Sequence, residues 1–534
     1  MKKLSEREKR WIERTVANNR NYKLYLYNRV GIILFLVLFQ LAGYIWLLYL
    51  FAHNSVIGLS VQIAVEAIAL LAVLHLINQS ERPSLKMNWI LLILLVPIIG
   101  VSMYLMYGDG KPTKRLRKRL SNAKDKNKEA FKSAFGEIGL PNVQTRGEAI
   151  SRYLAKYADY PLYQNGIVTY YKSGEETFSA MLEALRKAEK FILLEYFIIE
   201  HGKMWGEILK ILLEKAELGV QVRIIYDDMG CIVTLPPRYD KYLESLHKNI
   251  KCMRFNRVVP VLALRMNNRD HRKMMVVDGK VAFTGGINLA DEYIGVKKRF
   301  GYWKDAGLKI EGEAVHSFSR MFFDFWNAFR QDEEPLENYL IKKNDGGRYA
   351  LNEKMRVQPY DDSPLDKIRV GEAVYTDIVN GATKYVYIFT PYLVLDDALR
   401  AALAQASMRG VDVRIVTPGI PDKKAVFRLT RANYPLLIKA GVKIYEYTPG
   451  FIHSKCIVSD DDCAVVGTVN FDYRSLYHHF ENAVYFSGAE AVLDVKRDCE
   501  ETFALSKLCT QQDLKRNVVG RWVDALLRVF ETLF

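Results

Sequence analysis

At 534 residues the chain is long enough for two or three separately packed units. Half of its residues are hydrophobic and 26% are charged, which excludes an intrinsically disordered protein. The net charge of +15 is unevenly spread, since residues 1–30 carry +6 and residues 108–128 carry +7. A nucleic-acid enzyme more often spreads basic residues along its binding groove, so we expect no nucleic-acid partner. Basic segments on both sides of an apolar region instead indicate contact with anionic membrane lipid.

Residues 1–30 form a basic segment, and a predicted transmembrane region follows at residues 31–107. Three apolar stretches in this region, about residues 31–52, 56–77 and 88–107, each have the roughly 20 residues that cross a bilayer core. Three spans would put the two basic flanks on opposite sides of the membrane. This conflicts with the positive-inside rule unless one stretch is re-entrant or interfacial. We predict a multi-pass cell-membrane protein whose C-terminal, catalytic part is cytoplasmic.

The remainder of the chain repeats one strand and helix pattern. An apolar run at residues 191–199 predicts a buried strand, and an amphipathic helix and a strand at residues 219–225 follow it. Residues 385–389 and 410–416 repeat this order. Strand–helix–strand order predicts an α/β fold with mainly parallel sheets. The predicted segments are a basic linker (108–140), a first domain (141–345), a second domain (346–510) and an amphipathic C-terminal tail (511–534) that lies on the bilayer or docks on the core.

The pattern His-x-Lys-x4-Asp occurs twice, 182 residues apart, and both copies continue with Gly-x-x-Asn at the same distance. A duplicated pattern with a matched extension indicates one phosphodiester-processing site built from two related halves. His and Lys two residues apart on a strand project from the same face. The Asp lies seven residues after its His, which favours a role in fixing the turn over contact with a substrate. The candidate catalytic residues are His271, Lys273 and Asp278 in the first motif, and His453, Lys455 and Asp460 in the second.

Two His–Lys pairs that meet across a pseudo-two-fold axis suit displacement at a phosphodiester. One imidazole can attack phosphorus, while the other protonates the leaving alkoxide and then deprotonates the incoming hydroxyl. The lysines and two asparagines can neutralise the phosphate oxygens. A nucleophilic imidazole also needs an acceptor for its second ring nitrogen. The supporting candidates are Asn288 and Asn470 for the phosphate, and Asp305 and Glu481 for the imidazoles, with surface or helix-end carboxylates as the alternative for these last two.

The sequence predicts neither a metal nor another cofactor. The six cysteines are scattered, with no paired spacing and no His/Cys ligand pattern. The other histidines, His479 among them, lack the full His-x-Lys-x4-Asp spacing, so we expect no catalytic role for them.

These residues resemble the bacterial cardiolipin synthases of the phospholipase D superfamily. The resemblance covers most of the chain and rests on both motifs, on residues 83–89 and 268–273, and on the extensions at residues 285–293 and 467–472. It implies two phospholipase D-like repeats that form one pseudo-two-fold catalytic unit. It also implies transfer of a phosphatidyl group from one phosphatidylglycerol to another through a phosphohistidine, which gives cardiolipin and glycerol.

In that family the first-motif His is usually the nucleophile, which assigns attack to His271 and proton transfer to His453. The near-symmetry of the motifs leaves this order open. Such enzymes commonly have two membrane helices, so the stretch at residues 31–52 is additional.

Other activities use the same motif residues. A phospholipase D-type hydrolase or transphosphatidylase that releases phosphatidic acid shares every catalytic residue. A phosphodiesterase nuclease is disfavoured by the apolar stretches and by the near-neutral charge of the rest of the chain. A non-enzymatic lipid-binding protein is disfavoured because both His–Lys pairs are intact. The oligomeric state and the acyl preference stay open.

Overall fold

The computed structural model describes residues 55–79, 83–105, 114–257, 268–330, 332–341, 349–365, 368–529 and 531, and the separate positions 38, 42, 45, 49 and 52. The predicted basic segment 1–30 lies outside the described residues, and so does the first apolar stretch apart from the five separate positions. The chain divides into two compact units. One comprises residues 1–109 and 258–264, and the other comprises residues 110–257 and 265–534.

The first unit contains helix α1 (Ser55–Asn78), which covers the second predicted apolar stretch. Among the described residues, its 20-residue part Leu59–Asn78 is the one helix long and apolar enough to cross a membrane. Twenty helical residues extend about 30 Å, which matches the thickness of a bilayer core. Large apolar side chains of α1 such as Leu70 and Leu74 are exposed, as they are on a helix that faces lipid.

The third apolar stretch is broken into helices α2 (Pro83–Leu95) and α3 (Pro97–Met103). Proline lacks the N–H that would continue the hydrogen-bond ladder of α2, and neither helix alone reaches across a bilayer core. α3 folds back onto α2 so closely that a Cβ atom at Gly100 would lie 2.5 Å from the Cα atom of Ile93. This break replaces the single span expected over residues 88–107.

The second unit is an α/β structure with two large sheets. Its described helices are α4 (Lys114–Phe135), α5 (Arg146–Tyr153), α6 (Gly174–Arg186), α7 (Lys203–Glu217), α8 (Tyr239–Leu246), α9 (Val315–Phe329), α10 (Val370–Gly381), α11 (Asp397–Met408), α12 (Lys424–Lys439), α13 (Tyr473–Tyr477), α14 (Ala491–Ala504) and α15 (Val518–Val529). Its described strands are β1 (Ile167–Tyr171), β2 (Phe191–Tyr196), β3 (Gln221–Asp227), β4 (Ile250–Phe255), β5 (Lys273–Val277), β6 (Val281–Gly285), β7 (Tyr302–Lys304), β8 (Gly307–Glu311), β9 (Arg356–Asp362), β10 (Tyr385–Phe389), β11 (Asp412–Pro418), β12 (Lys443–Tyr447), β13 (Gly450–Ile452), β14 (Cys456–Ser459), β15 (Cys463–Gly467), β16 (Glu481–Ser487) and β17 (Ser506–Leu508).

The two sheets repeat one strand order. The first runs β1-β8-β6-β5-β2-β3-β4, and the second runs β9-β16-β15-β14-β10-β11-β12 with β17 added at its end. Strands joined through a helix, such as β2, β3 and β4, are parallel. The hairpins that carry the motifs, β5–β6 and β14–β15, are antiparallel. The expectation of mainly parallel sheets is therefore corrected to mixed sheets, because antiparallel pairings outnumber parallel pairings in both.

The last helix of each repeat packs against its own sheet and also against the sheet of the other repeat. α9 packs against β2 and β5 of its own sheet and against β9 of the second sheet. α14 packs against β10 and β14 of its own sheet and against β1 of the first. Strands β7 and β13, one from each repeat, pair in parallel. A buried ion pair between Lys304 and Asp498, with 2.6 Å between nitrogen and oxygen, lies in the same interface. The repeats therefore form one body in which a site can be shared.

Most of the segment predicted as a basic linker is helix α4, which belongs to the second unit. α4 buries Leu120 and Phe131, and Asn127 donates a 2.8 Å hydrogen bond to Asp324 on α9. Its opposite face exposes basic residues, among them Arg119. The segment is therefore both a packed element of the second unit and a positively charged surface.

The predicted amphipathic tail contains helix α15, which packs on α12. Arg428 of α12 donates a 2.8 Å hydrogen bond to the main-chain carbonyl of Gly520 and also contacts Asp524. Val519 and Trp522 on the outer side of α15 are exposed. The tail therefore docks on the core, which was one of its two predicted positions, and keeps an apolar outer side.

Candidate active site

The two His–Lys pairs lie at equivalent positions of the two sheets. Lys273 begins β5, and Lys455 directly precedes β14, the strand that occupies the place of β5 in the second sheet. Each His precedes its Lys by two residues, so both side chains leave the chain on the same side. β5 and β14 are buried along their whole length. The pairs are therefore held by buried strands in the interior of each sheet.

Each motif imidazole is held by a carboxylate from the other repeat. Nδ1 of His271 lies 2.9 Å from both carboxylate oxygens of Glu481, and Nδ1 of His453 lies 2.7 Å from Oδ2 of Asp305. Both carboxylates are fully buried. The main-chain N–H of each His donates to the carbonyl of the residue just before the same carboxylate, at 2.9 Å and 2.7 Å. The structure thus brings both predicted acceptors to the histidines, and each comes from the opposite repeat.

The carboxylates are supported differently in the two halves. The hydroxyl of Thr468 donates to Glu481. The equivalent position is Gly286, where a Cβ atom would lie 2.1 Å from Oδ1 of Asp305. That oxygen instead accepts a 2.8 Å hydrogen bond from the main-chain N–H of Ala306. Sequence reasoning missed Thr468 and Gly286, although both stand inside the duplicated Gly-x-x-Asn extension, which was the available signal.

Both motif lysines are buried beside the imidazoles. Nζ of Lys273 donates a 2.7 Å hydrogen bond to the main-chain carbonyl of His271, and Lys455 donates to that of His453. Burial lowers the pKa of Lys273 to about 7 and the pKa of Lys455 to about 8. The positive charge of Lys455 further lowers the pKa of Lys273, so the pairs from the two repeats share one electrostatic environment. A bound phosphodiester anion would favour the charged form of both lysines.

Burial also keeps the two motif imidazoles neutral. It lowers the pKa of His271 well below its usual value and the pKa of His453 to about 4. Burial alone would raise the pKa of Glu481, but His271 beside it holds that pKa below its usual range. An ionised Glu481 accepts the Nδ1 proton of His271, which leaves a lone pair on Nε2. This is the protonation state that an attacking imidazole requires.

The motif aspartates lie at the far end of their strands. Asp278 accepts hydrogen bonds of 2.7 Å to 2.8 Å from the main-chain N–H groups of residues 189–191, and Asp460 does the same at residues 383–385 with 2.8 Å to 2.9 Å. Both have positive φ angles, 54° and 58°. Five residues of strand separate Asp278 from Lys273, a distance of about 16 Å. The structure therefore does not bring Asp278 and Asp460 to the His–Lys pairs, and they tie the motif hairpins to β2 and β10.

The two predicted amides are placed differently. Oδ1 of Asn288 accepts a 3.1 Å hydrogen bond from the N–H of Ile198, and Nδ2 donates to the hydroxyl of Tyr293 at 2.7 Å. The ring of Tyr293 lies 5.5 Å from the imidazole of His453, so Asn288 positions an aromatic neighbour of that imidazole. Asn470 is buried, and its Oδ1 has no hydrogen-bond partner among the described residues.

A ring packs against each motif imidazole from the position two residues before the carboxylate. The ring centroid of His479 lies 5.4 Å from that of His271, and the ring of Trp303 lies 5.5 Å from that of His453. Sequence reasoning gave His479 no role because it lacks the motif spacing. The available signal was its sequence position: His479 lies two residues before Glu481, as Trp303 lies two residues before Asp305 in the other repeat.

Comparison with family models assigns both repeats to one domain family. The model described as cardiolipin synthase, PLD-like domain, matches residues 181–322 and 375–503, which together contain both motifs. The model described as phospholipase D-nuclease N-terminal matches residues 67–108, the region of α1 to α3.

Curated relatives extend over most of the chain. A Streptococcus mutans serotype c protein without an assigned function is 45% identical over 84% of this chain and 96% of its own length. The cardiolipin synthase of Alkalihalophilus pseudofirmus is 33% identical over 79% of this chain and 83% of its own length.

A solved structure supports the fold alone. The phosphatidylserine synthase of Haemophilus influenzae Rd KW20 superposes with a TM-score of 0.53 at 15% identity and covers 73% of this chain and all of its own. The matched domain models, the curated relatives and the duplicated fold agree. The chain belongs to the cardiolipin synthase family of phospholipase D-like proteins.

Proposed function

We propose that this protein makes cardiolipin by transferring a phosphatidyl group from one phosphatidylglycerol molecule to a second. The observation that carries the proposal is the crossed arrangement of two neutral imidazoles. Each is oriented by a buried carboxylate of the opposite repeat, and two buried lysines lie beside them. The arrangement offers a nucleophile, a proton carrier and two cations for one phosphodiester.

The first step forms a covalent intermediate. Nε2 of His271 attacks phosphorus, a nitrogen–phosphorus bond forms, and the bond from phosphorus to the glycerol oxygen breaks. Binding of the phosphodiester anion favours the charged form of His453, which then gives its Nε2 proton to that oxygen, so glycerol leaves as an alcohol. Glu481 accepts the Nδ1 proton of His271, and burial lowers the pKa of that imidazole, which supports its role as nucleophile. Lys273 and Lys455 neutralise charge on the non-bridging oxygens.

The second step uses a lipid hydroxyl. His453, now neutral, removes the proton from the terminal glycerol hydroxyl of a second phosphatidylglycerol, and the resulting oxygen attacks phosphorus. The nitrogen–phosphorus bond breaks, which frees His271 and releases cardiolipin. His453 is left protonated and ready for the next donor. One glycerol is therefore released for each cardiolipin formed.

Membrane association follows from the apolar helix α1 and from the family. The finer placement, a multi-pass protein with its catalytic unit in the cytoplasm, is part of the proposal. It is supported by the exposed basic face of α4, which suits the anionic cytoplasmic surface. Protease digestion of inside-out and right-side-out vesicles tests it, because only inside-out vesicles should yield fragments of the catalytic unit.

Product analysis tests the chemistry. We expect purified full-length protein in detergent micelles to convert phosphatidylglycerol to cardiolipin and glycerol, measured by mass spectrometry. His271→Ala and His453→Ala should both abolish turnover, while His247→Ala, at the end of α8, serves as a matched control. Glycerol should appear in a burst of about one equivalent per chain before cardiolipin accumulates. Phosphatidic acid without cardiolipin, or turnover in either motif variant, would contradict the proposal.

A further inference from the structure

The two halves of the site differ at the ring that packs on each motif imidazole. In one half this ring is the indole of Trp303, which has a single N–H donor and no lone pair for a metal. In the other half it is the imidazole of His479, which offers a nitrogen lone pair. The side chain of His479 is only 10% exposed, and its Nδ1 has no hydrogen-bond partner among the described residues. A buried nitrogen that makes no short hydrogen bond, and whose nearby carboxylate is Glu481, therefore lies beside His271.

Three potential metal donors converge at this point. Nδ1 of His271 lies 2.9 Å from Glu481, and Nδ1 of His479 lies 3.6 Å from Oε1 of the same carboxylate. The donor atoms of all three residues lie within 4.8 Å of one another. A tetrahedral Zn²⁺ ion with bonds of about 2.1 Å holds its ligand atoms roughly 3.4 Å apart. Each donor therefore needs to move by about 1 Å or less to reach coordination distance.

We propose that His271, His479 and Glu481 form an inhibitory binding site for a divalent transition metal of the Zn²⁺ class. Two imidazole nitrogens and one carboxylate oxygen favour such ions over Mg²⁺ or Ca²⁺, which prefer all-oxygen ligands. Three protein ligands leave the fourth position of a tetrahedral ion to water. No other group of three such donors lies together in the part of the chain that the structure describes.

The metal inhibits by changing the tautomer of His271. In the metal-free site the imidazole carries its one proton on Nδ1, where Glu481 accepts it, and Nε2 keeps its lone pair. The metal takes the Nδ1 lone pair, so the proton moves to Nε2 and no proton is lost from the ring. An Nε2 that bears a proton cannot form a bond to phosphorus. This inhibitory consequence rests on the proposed nucleophilic role of His271, whereas metal binding itself does not.

Direct binding of Zn²⁺ to the full-length protein in detergent tests the site. After treatment with EDTA and its removal, titration against a chromophoric zinc chelator should show one high-affinity ion per chain. His479→Phe keeps a ring but removes the donor, and His479→Asn is a smaller second variant in case the first does not fold. Loss of one ligand should weaken binding more than about 100-fold, since even outer-sphere changes cost 10-fold to 100-fold. His247→Phe should bind as the wild type does.

Activity measurements test the inhibitory effect. Zn²⁺ should inhibit cardiolipin formation, EDTA should restore it, and each His479 variant should need more than about 100-fold more Zn²⁺ for half-inhibition of its own metal-free rate. His453→Ala separates the two proposals, because it should be inactive and yet bind Zn²⁺ normally. An active His453→Ala variant with normal Zn²⁺ binding would overturn the proposed function and leave the metal site standing. Unchanged Zn²⁺ affinity in both His479 variants would overturn the metal site.

Discussion

The crossed carboxylates make a quantitative prediction at Glu481. Glu481→Gln keeps the size of the side chain but replaces one oxygen by an NH₂ group. Both original oxygens are engaged, by His271 at 2.9 Å and by the hydroxyl of Thr468. If the amide oxygen stays with Thr468, the NH₂ group faces Nδ1 of His271 and can only donate. The imidazole must then move its proton to Nε2, which removes the attacking lone pair.

The expected loss follows from this tautomer change. In a serine-protease triad, replacing the carboxylate that orients the histidine by an amide lowers kcat about 10⁴-fold. A loss of 10³-fold to 10⁴-fold corresponds to about 4–5.5 kcal/mol of transition-state stabilisation. The assay is initial-rate cardiolipin formation from phosphatidylglycerol in mixed micelles, with thermal unfolding as the folding check. The matched variant Thr468→Val removes the supporting hydroxyl but keeps the carboxylate, so we expect it to lose only about 10-fold to 100-fold.

The reasoning would be refuted by a Glu481→Gln variant that keeps more than a tenth of wild-type activity. It would equally be refuted by a loss no larger than that of Thr468→Val. A loss accompanied by a large fall in the unfolding temperature would mean that Glu481 acts on stability rather than on the imidazole. The equivalent change in the other half, Asp305→Asn, should be as damaging, since His453 is needed in both steps.

Three further predictions concern pH, the motif aspartates and the space beside Asp305. The value of kcat/KM should fall as pH rises through 7 to 8. The reason is that Lys273 and Lys455, with pKa values of about 7 and 8, lose their positive charge over this interval. A pH–rate profile that rises over the same interval would contradict this prediction. Asp278→Asn should lower the free energy of unfolding by about 2–3 kcal/mol, measured by denaturant titration, because this carboxylate accepts hydrogen bonds from three main-chain N–H groups. The folded variant should keep its kcat, because these contacts lie away from the site. Gly286→Ala should lower kcat more than about 100-fold with little change in the unfolding temperature, because the added Cβ atom would lie 2.1 Å from Oδ1 of Asp305 and displace this carboxylate. A variant with wild-type kcat would show that the carboxylate can shift without consequence for catalysis.

The strands around the site were predictable because local sequence dictates them. The run at residues 191–199 predicted a buried strand, and its first six residues form β2, buried throughout. The even His-to-Lys spacing predicted a shared side, and the odd spacing to Asp predicted a turn residue. The prediction of mainly parallel sheets was wrong because it took account of the helical crossovers, which join parallel strands, but not of the motif hairpins, which join antiparallel ones. The Asp278–Gly279 turn, with two positive φ angles, was already the mark of an antiparallel pair.

The partners of the imidazoles were only partly predictable. Asp305 and Glu481 could be proposed as acceptors because they follow the motifs. Which carboxylate meets which imidazole depends on how the repeats dock, and no local pattern encodes that. His479 was overlooked for the same reason, because its neighbour His271 lies 208 residues away in the chain.

Each imidazole and the carboxylate that holds it form a dyad, and the two members of each dyad come from different repeats. Neither repeat therefore contains a complete dyad. A single repeat supplies the imidazole of one dyad and the acid of the other, so it is chemically unfinished when alone. It can complete a dyad only against a second repeat, and a two-fold arrangement completes both dyads at once. Lys304 and Asp498 form a buried ion pair between the repeats and belong to neither motif. Substitutions of either residue should therefore lower catalytic activity as well as weaken the docking of the repeats.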